Sequence, residues 1–294
     1  MKQIDATKLE GRMNARVRKN NIWKVIFFLS TLVGLVVLAI LLIRVLMQGI
    51  GWLDWNFLTA KLSSNPDRAG IMGALLGTTW MMLVVIPVTI IIGIGSAIYL
   101  ELYAKKGWFQ NFIQTNISNL AGVPSIVYGL LGLTVFSRFL GLGNAVLAGG
   151  LTLSLLVLPI LIVSAQEALR AVPQHLSEAS YGMGATKWQT IRTVILPAAL
   201  PSILTGTILS LSRAIGETAP LTVLGIPAFL IPFPNGLLDT FTALPMQIYY
   251  WTLDASLVAE YANLAAATII ILLLLLFILN SIAIFIRNKF QQRY

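Results

Sequence analysis

The sequence predicts an all-α membrane protein whose chain crosses the bilayer six times, and three observations lead there. First, 57% of the 294 residues are hydrophobic and only 11% are charged. A soluble chain carries about 25% charged residues, so this one is too poor in charge to cover a water-facing surface. Second, apolar runs of the length that a hydrocarbon core of about 30 Å requires recur at six places. Third, the basic residues gather beside those runs. Lys2, Lys8, Arg12, Arg16, Arg18, Lys19 and Lys24 precede the first run, and Arg287, Lys289 and Arg293 follow the last. The net charge of +9 therefore reads as the basic excess that flanks membrane spans on the cytoplasmic side, and no nucleic acid is expected as a partner. The absence of cysteine excludes disulfides and thiolate metal sites, and with His175 as the single histidine no metal site is predicted.

Taken in order, the first run, 26–47, is longer than a signal-peptide core and lacks a small-x-small cleavage pattern. It predicts a retained helix entered from the cytoplasm, behind a basic cytoplasmic segment at 1–25. Residues 26–294 then read as a single transmembrane domain. The second run is 71–100. The third, 123–140, is the weakest, being short and preceded by Gln114, Thr115, Asn116, Ser118 and Asn119, which predict an interfacial stretch before the span. The fourth, fifth and sixth runs are 144–165, 194–215 and 259–286. Alternation from a cytoplasmic start places Lys105, Lys106, the loop 166–194 and both termini inside, which an odd number of spans would not do. Between the last two runs, Pro227, Pro232, Pro234 and Pro245 exclude one regular helix. Phe229, Leu230, Phe233 and Phe241 are too apolar for open solvent. This stretch predicts an external lid or re-entrant segment, with Tyr249, Tyr250 and Trp251 at the interface.

The loop between the fourth and fifth runs carries its own start and stop signals. Pro173 suits a first helical position, and Gly184 suits the left-handed residue just past a helix end. Thr186 with Gln189 forms a potential capping box for the next helix. Ala179, Ser180, Gly182 and Gly184 are small enough for a second surface to approach the backbone, and Glu178 is placed to meet a basic group or to cap locally. These residue types fit a docking element and a solvated hairpin without a partner equally well.

In the fifth run, Arg213 stands about 24 Å along a helix from Pro197, which places it in the outer leaflet. A charge there marks a functional site with a partner, and Glu217 lies on the same helical face four residues later. Ser202, Gly206, Ser210, Arg213 and Glu217 follow one another at spacings of four, four, three and four, the period of one helical stripe. Small residues also line tight helix contacts, so Ser202 and Gly206 alone suggest packing. The charged pair turns the reading toward a hydrophilic path. An arginine fork suits a tetrahedral oxyanion, and a paired glutamate weakens the hold enough for release. A structural salt bridge or a snorkelling arginine is the alternative. Arg44 and Arg138 sit where they can snorkel, and Glu167 and Arg170 can pair at the cytoplasmic rim.

Two groups of residues resemble known families. Glu178-Ala179-Ser180, Gly184 after three further residues, and Val194-Ile195-Leu196-Pro197 after nine more resemble the Glu-Ala-Ala signature loop of ABC-importer permeases. The departures are Ser180 for alanine and Val194 for isoleucine. This resemblance implies the type I (MetI-like) permease fold, with Glu178, Ala179, Ser180, Gly184, Leu196 and Pro197 in a loop that docks on a nucleotide-binding subunit. The chain contains no Gly-x4-Gly-Lys-Ser/Thr phosphate loop. It is therefore expected not to be an enzyme and to hold no cofactor, with ATP and Mg bound by partner subunits. The segments from Ser212 to Pro220 and from Ala121 to Gly129 resemble phosphate-specific ABC permeases of the A type. They imply Arg213 and Glu217 in translocation, with Ser210, Ser125 and Tyr128 beside them, although residues next to Pro124 also suit a mere kink. Implied as partners are a homologous second permease in a heterodimer, two ABC ATPase subunits and an extracytoplasmic phosphate-binding protein, all at a bacterial inner membrane. A type I permease for another oxyanion or small solute, and an ATP-independent secondary transporter or channel, remain as rival readings.

Overall fold

The computed structural model describes residues 6–227 and 233–290, with backbone alone for 6–12, 14, 15 and 290. Lys2, Phe229, Leu230, Pro232 and Arg293, on which sequence expectations fell, lie outside the described residues, as do the side chains of Lys8 and Arg12. The described chain is helical, apart from loops and one isolated bridge between Ala145 and Thr240. It divides into two compact units, residues 1–48 and 49–294.

The described residues of the first unit all lie on the helix α1, Ala6–Gly49, whose last residue opens the second unit. Residues 6–25 of the basic segment and the first apolar run lie on this one continuous helix, and nothing in the sequence between Arg16 and Ile26 breaks it.

In the second unit, the Asp54 carboxylate accepts a hydrogen bond from the Phe57 amide at 2.6 Å and so caps the short helix α2, Trp55–Thr59. Next comes α3, Met72–Tyr103. The predicted third span differs most from expectation. It is a pair of helices, α4 (Trp108–Leu120) and α5 (Ser125–Phe139), bent by 108°. Pro124 holds Val123 out of the helical region, and the Tyr128 hydroxyl donates to the Leu120 carbonyl at 2.8 Å across the bend. The polar residues expected to lie at an interface are on α4. There Gln110 donates to the Leu100 carbonyl of α3, and Gln114 exchanges two hydrogen bonds with Gln166 at 3.0 and 2.8 Å. Among the described residues, five helices are long and apolar enough to cross a membrane, and a sixth span results if the bent pair counts as one.

The helix α6, Val146–Arg170, holds the unit together, with Leu153, Val157, Leu161 and Ala165 fully buried. Glycine contacts let backbones approach it as membrane helices do. A Cβ on Gly150 would stand 2.7 Å from Val84, and one on Gly93 would stand 2.9 Å from Leu161. Gly132 of α5 meets Thr152, and Gly206 meets Ser164, at still closer range. After the hairpin helix α7, Gln174–Gly182, comes α8, Lys187–Gly216. Its Ile191–Ile195 turn is π-helical. Pro197 supplies no N–H to the carbonyl four residues back, and its ring crowds that carbonyl, so the turn widens.

The described parts of the stretch read as an external lid or re-entrant segment pack into the core. It contains α9, Ala219–Leu224, closed by Gly225 at φ +77°, and α10, Leu244–Asp254. Phe241 is fully buried and sits where a Cβ on Gly149 would meet it at 2.6 Å. Trp251 is buried as well, 6.3 Å ring to ring from Phe57, whereas Tyr249 remains exposed. The chain ends in α11, Glu260–Phe290.

Candidate functional site

The segment 173–197 folds as a closed helical hairpin. Pro173 is the N-cap of α7 rather than its first residue. At the other end Gly184 adopts φ +82°. Its N–H bonds the Tyr181 carbonyl at 2.9 Å, while the Ala185 N–H bonds the Ser180 carbonyl at 3.2 Å. This pair of bonds is a Schellman ending, and it satisfies carbonyls that the helix terminus leaves open. The capping box forms as the sequence predicts. The Thr186 amide donates to Gln189 Oε1 at 2.8 Å, and the Gln189 amide donates to Thr186 Oγ1 at 3.4 Å. Ser180 Oγ and Thr190 Oγ1 lie 2.9 Å apart and pin α7 to the first turn of α8, with Thr190 fully buried.

The closed hairpin carries a groove and a cluster of exposed apolar side chains. A groove of about 710 Å³ runs between α7 and α8, lined by Ala179, Ser180, Met183, Gly184 and Gln189 among others. Met183 is 90% exposed, and Tyr181, Trp188, Glu178 and Ala179 are also exposed. Exposed apolar side chains on a polar hairpin are the kind of surface that can meet a partner. Leu196 and Pro197 are half-buried in α8, behind the hairpin.

Two contacts tie the hairpin root to α3. Arg170 pairs with Glu101 at 2.8 Å and with Glu167 at 3.0 Å, and Lys187 Nζ stands 4.7 Å over the Tyr103 ring. The Glu167–Arg170 pair is the one the sequence suggests. Glu101 was missed, although an acid at the end of an apolar run is itself the signal that could have found it.

At the far end of α8, Arg213 Nε and Glu217 Oε1 pair at 3.0 Å, the side chains being 50% and 17% exposed. The helix stops at Gly216 and Glu217 is extended. The pair therefore bridges the helix end rather than lying along a continuing turn.

The stripe read from the sequence does not stay on one surface. Gly206 faces Ser164 of α6, and Ser210 is buried with its Oγ unpartnered among the described residues. Ser202, Leu209 and Arg213 are exposed. A third face meets α11, where Ser212 donates to Asn280 Oδ1 at 2.7 Å and Arg287 donates to Thr205 at 3.4 Å. Asn280, a lone amide in the last apolar run, is a second residue that sequence reasoning passed over.

Ser125 opens α5 half-buried, and Tyr128 is buried with its hydroxyl committed to Leu120. A Cβ on Gly129 would stand 2.8 Å from Pro220 Cα. The segment from Ala121 to Gly129 thus packs directly on the one that follows Arg213 and Glu217, some ninety residues away in the chain.

Residues 89–293 match the family described as binding-protein-dependent transport system inner membrane component. Among curated proteins, the chain is 31% identical over 288 residues to the phosphate transport system permease protein PstA of Yersinia pestis, covering 95% of this chain and 94% of that one. It is 34% identical over 242 residues to phosphate transport system permease protein PstA 1 of Mycobacterium tuberculosis (strain ATCC 25618 / H37Rv), covering 79% and 76%. The probable ABC transporter permease protein YqgI of Bacillus subtilis (strain 168) is 35% identical over 177 residues, and the matched part spans 60% of each chain. Among solved structures, the MetNI methionine ABC transporter in an inward-facing conformation aligns with a TM-score of 0.59 at 17% identity, over 76% of this chain and 96% of that one. A bacterial ABC transporter involved in the import of the acidic polysaccharide alginate aligns with a TM-score of 0.56 at 15% identity, over 97% and 98%. At these identities the structural likenesses speak for the fold.

Proposed function

The chain belongs to the family of binding-protein-dependent transport system inner membrane components, and from that premise we propose that it is the phosphate-conducting permease subunit of an ATP-driven importer. The substrate assignment rests on one observation. A relative called a phosphate permease keeps 31% identity over 95% of this chain, which takes in the Arg213–Glu217 segment and the α5 entrance packed against it.

In this reading the far end of α8 receives the oxyanion. Arg213 offers planar N–H donors, and Glu217 competes for them at 3.0 Å, so the anion is held without being trapped. The chain works beside a homologous second permease that covers the exposed Arg213 face. An extracytoplasmic phosphate-binding protein delivers the substrate, and two ABC ATPase subunits bind ATP and Mg. The groove between α7 and α8 with its exposed Met183 is the docking surface for one ATPase. Glu178, Ala179, Ser180 and Gly184 shape that surface, while Leu196 and Pro197 carry its displacement into α8. Both chain ends lie on the ATPase side of a bacterial inner membrane.

Phosphate uptake by cells whose own high-affinity phosphate importers are deleted tests the substrate. Expression of this chain with its partner subunits is expected to restore ATP-dependent uptake of labelled phosphate, with labelled sulfate left outside. Uptake of sulfate instead of phosphate would overturn the assignment.

A further inference from the structure

A cavity of about 720 Å³ lies at the end of the second unit away from the hairpin, between the loop at 62–64, the turn after α9, α10 and the first turn of α11. Its walls are preformed. Tyr261 donates to the Ser64 carbonyl at 2.7 Å, Tyr250 donates to the Ile226 carbonyl at 3.3 Å, and Trp251 is fixed against Phe57. Gln247 lines it at 2% exposure, and its Oε1 has no hydrogen-bond partner among the described residues. A buried acceptor of this kind calls for a donor. Asp254, exposed, is the single charged side chain on the lining. The basic residue beside the loop, Lys61, is turned 5.8 Å over the Phe233 ring.

With both tyrosine hydrogens committed to carbonyls, the described lining presents a carboxylate, lone pairs, aromatic faces and the neutral donors of Ser63, Ser64 and Gln247, and no cationic donor. That is the reverse of what phosphate needs, which separates this cavity from the Arg213 site. We propose that it binds an organic cation, a primary ammonium or guanidinium group on an apolar stem. The stem lies against Trp251 and Tyr250, and the head bonds Asp254 and Gln247 Oε1. The proposal stands whether or not phosphate is the transported solute.

Calorimetric titration of the purified full chain in detergent tests it, with butylammonium as the probe and neutral 1-butanol as its isostere. Saturable butylammonium binding is expected, weakened at least about tenfold by Asp254→Asn and by Gln247→Leu, with no saturable binding of 1-butanol; a loss of about tenfold or more corresponds to one charge-assisted hydrogen bond. Because Asp254 is exposed and the change to asparagine keeps its shape, that variant retains the fold. Equal binding of 1-butanol, or butylammonium binding unchanged by Asp254→Asn, overturns the proposal. Competition then identifies the source of the cation. Displacement by Nα-acetyl-lysine methylamide points to a lysine of a docking protein, displacement by putrescine alone points to a free amine, and displacement by neither overturns the assignment.

Discussion

Arg213 and Glu217 form a pair whose two members have unequal surroundings, at 50% and 17% side-chain exposure. Removing the arginine leaves the more buried carboxylate without its partner. A charge-assisted hydrogen bond is worth about 1.5–3 kcal/mol, so Arg213→Ala is expected to lower phosphate uptake by roughly ten- to hundredfold. Arg213→Lys should fall between, since it keeps the charge and loses the fork. Initial uptake rates in cells with matched membrane levels of the protein check both. Ser180 gives a second test. Ser180→Ala restores the family's usual alanine but strands the buried Thr190 hydroxyl, at a cost of about 1 kcal/mol. Adding Thr190→Val should recover most of that loss, because removing both partners of a buried hydrogen bond is nearly neutral. A double-mutant cycle on thermal unfolding measures the coupling, and simple additivity would contradict the hydroxyl contact.

The hairpin is the element whose design was legible in the sequence. Gly184, Thr186 and Gln189 act on backbone within a few residues of themselves, and local hydrogen bonding is what residue order encodes. Gly184→Val forces a β-branched residue to φ +82°, at about 1–2 kcal/mol, and opens the Schellman ending. In the assembled complex, phosphate-stimulated ATP hydrolysis should drop while unstimulated hydrolysis persists, and Gly184→Asn should be milder. Undiminished stimulation in the valine variant would remove the hinge from the mechanism. Contacts between elements were not legible in the same way. Gln114 with Gln166, Arg170 with Glu101, and Ser212 with Asn280 join residues 52 to 69 positions apart, and no local period encodes such pairings. The α8 stripe shows the same limit. Its spacing was right for a helix, yet only the neighbours α6 and α11 decide that Gly206 and Ser210 turn inward while Ser202 and Arg213 stay exposed. Likewise Pro124 signals a break, but the 108° bend is fixed by Tyr128 reaching back to Leu120.

At the scale of the molecule, one helix links the hairpin to the Arg213–Glu217 pair. α8 begins at the capping box, passes the Ser180–Thr190 contact, widens before Pro197 and ends at the Arg213–Glu217 pair. In the proposed mechanism, a displacement of the hairpin would reach the Arg213–Glu217 pair along this one continuous helix, which packs on α6. The exposed Met183 and Trp188 predict that the chain co-purifies with ATPase subunits, and that Met183→Glu weakens this association by tenfold or more, about 1.4 kcal/mol, which size-exclusion chromatography can quantify. In the proposed mechanism, ATP hydrolysis on partner subunits drives phosphate past this chain. Its most direct test is labelled phosphate uptake into proteoliposomes containing the permease pair and the ATPase subunits, with the loaded binding protein on one side and ATP on the other. Uptake is expected to require ATP, the binding protein and an intact Arg213. Phosphate accumulation that continues at the same rate without ATP or without the ATPase subunits would contradict it.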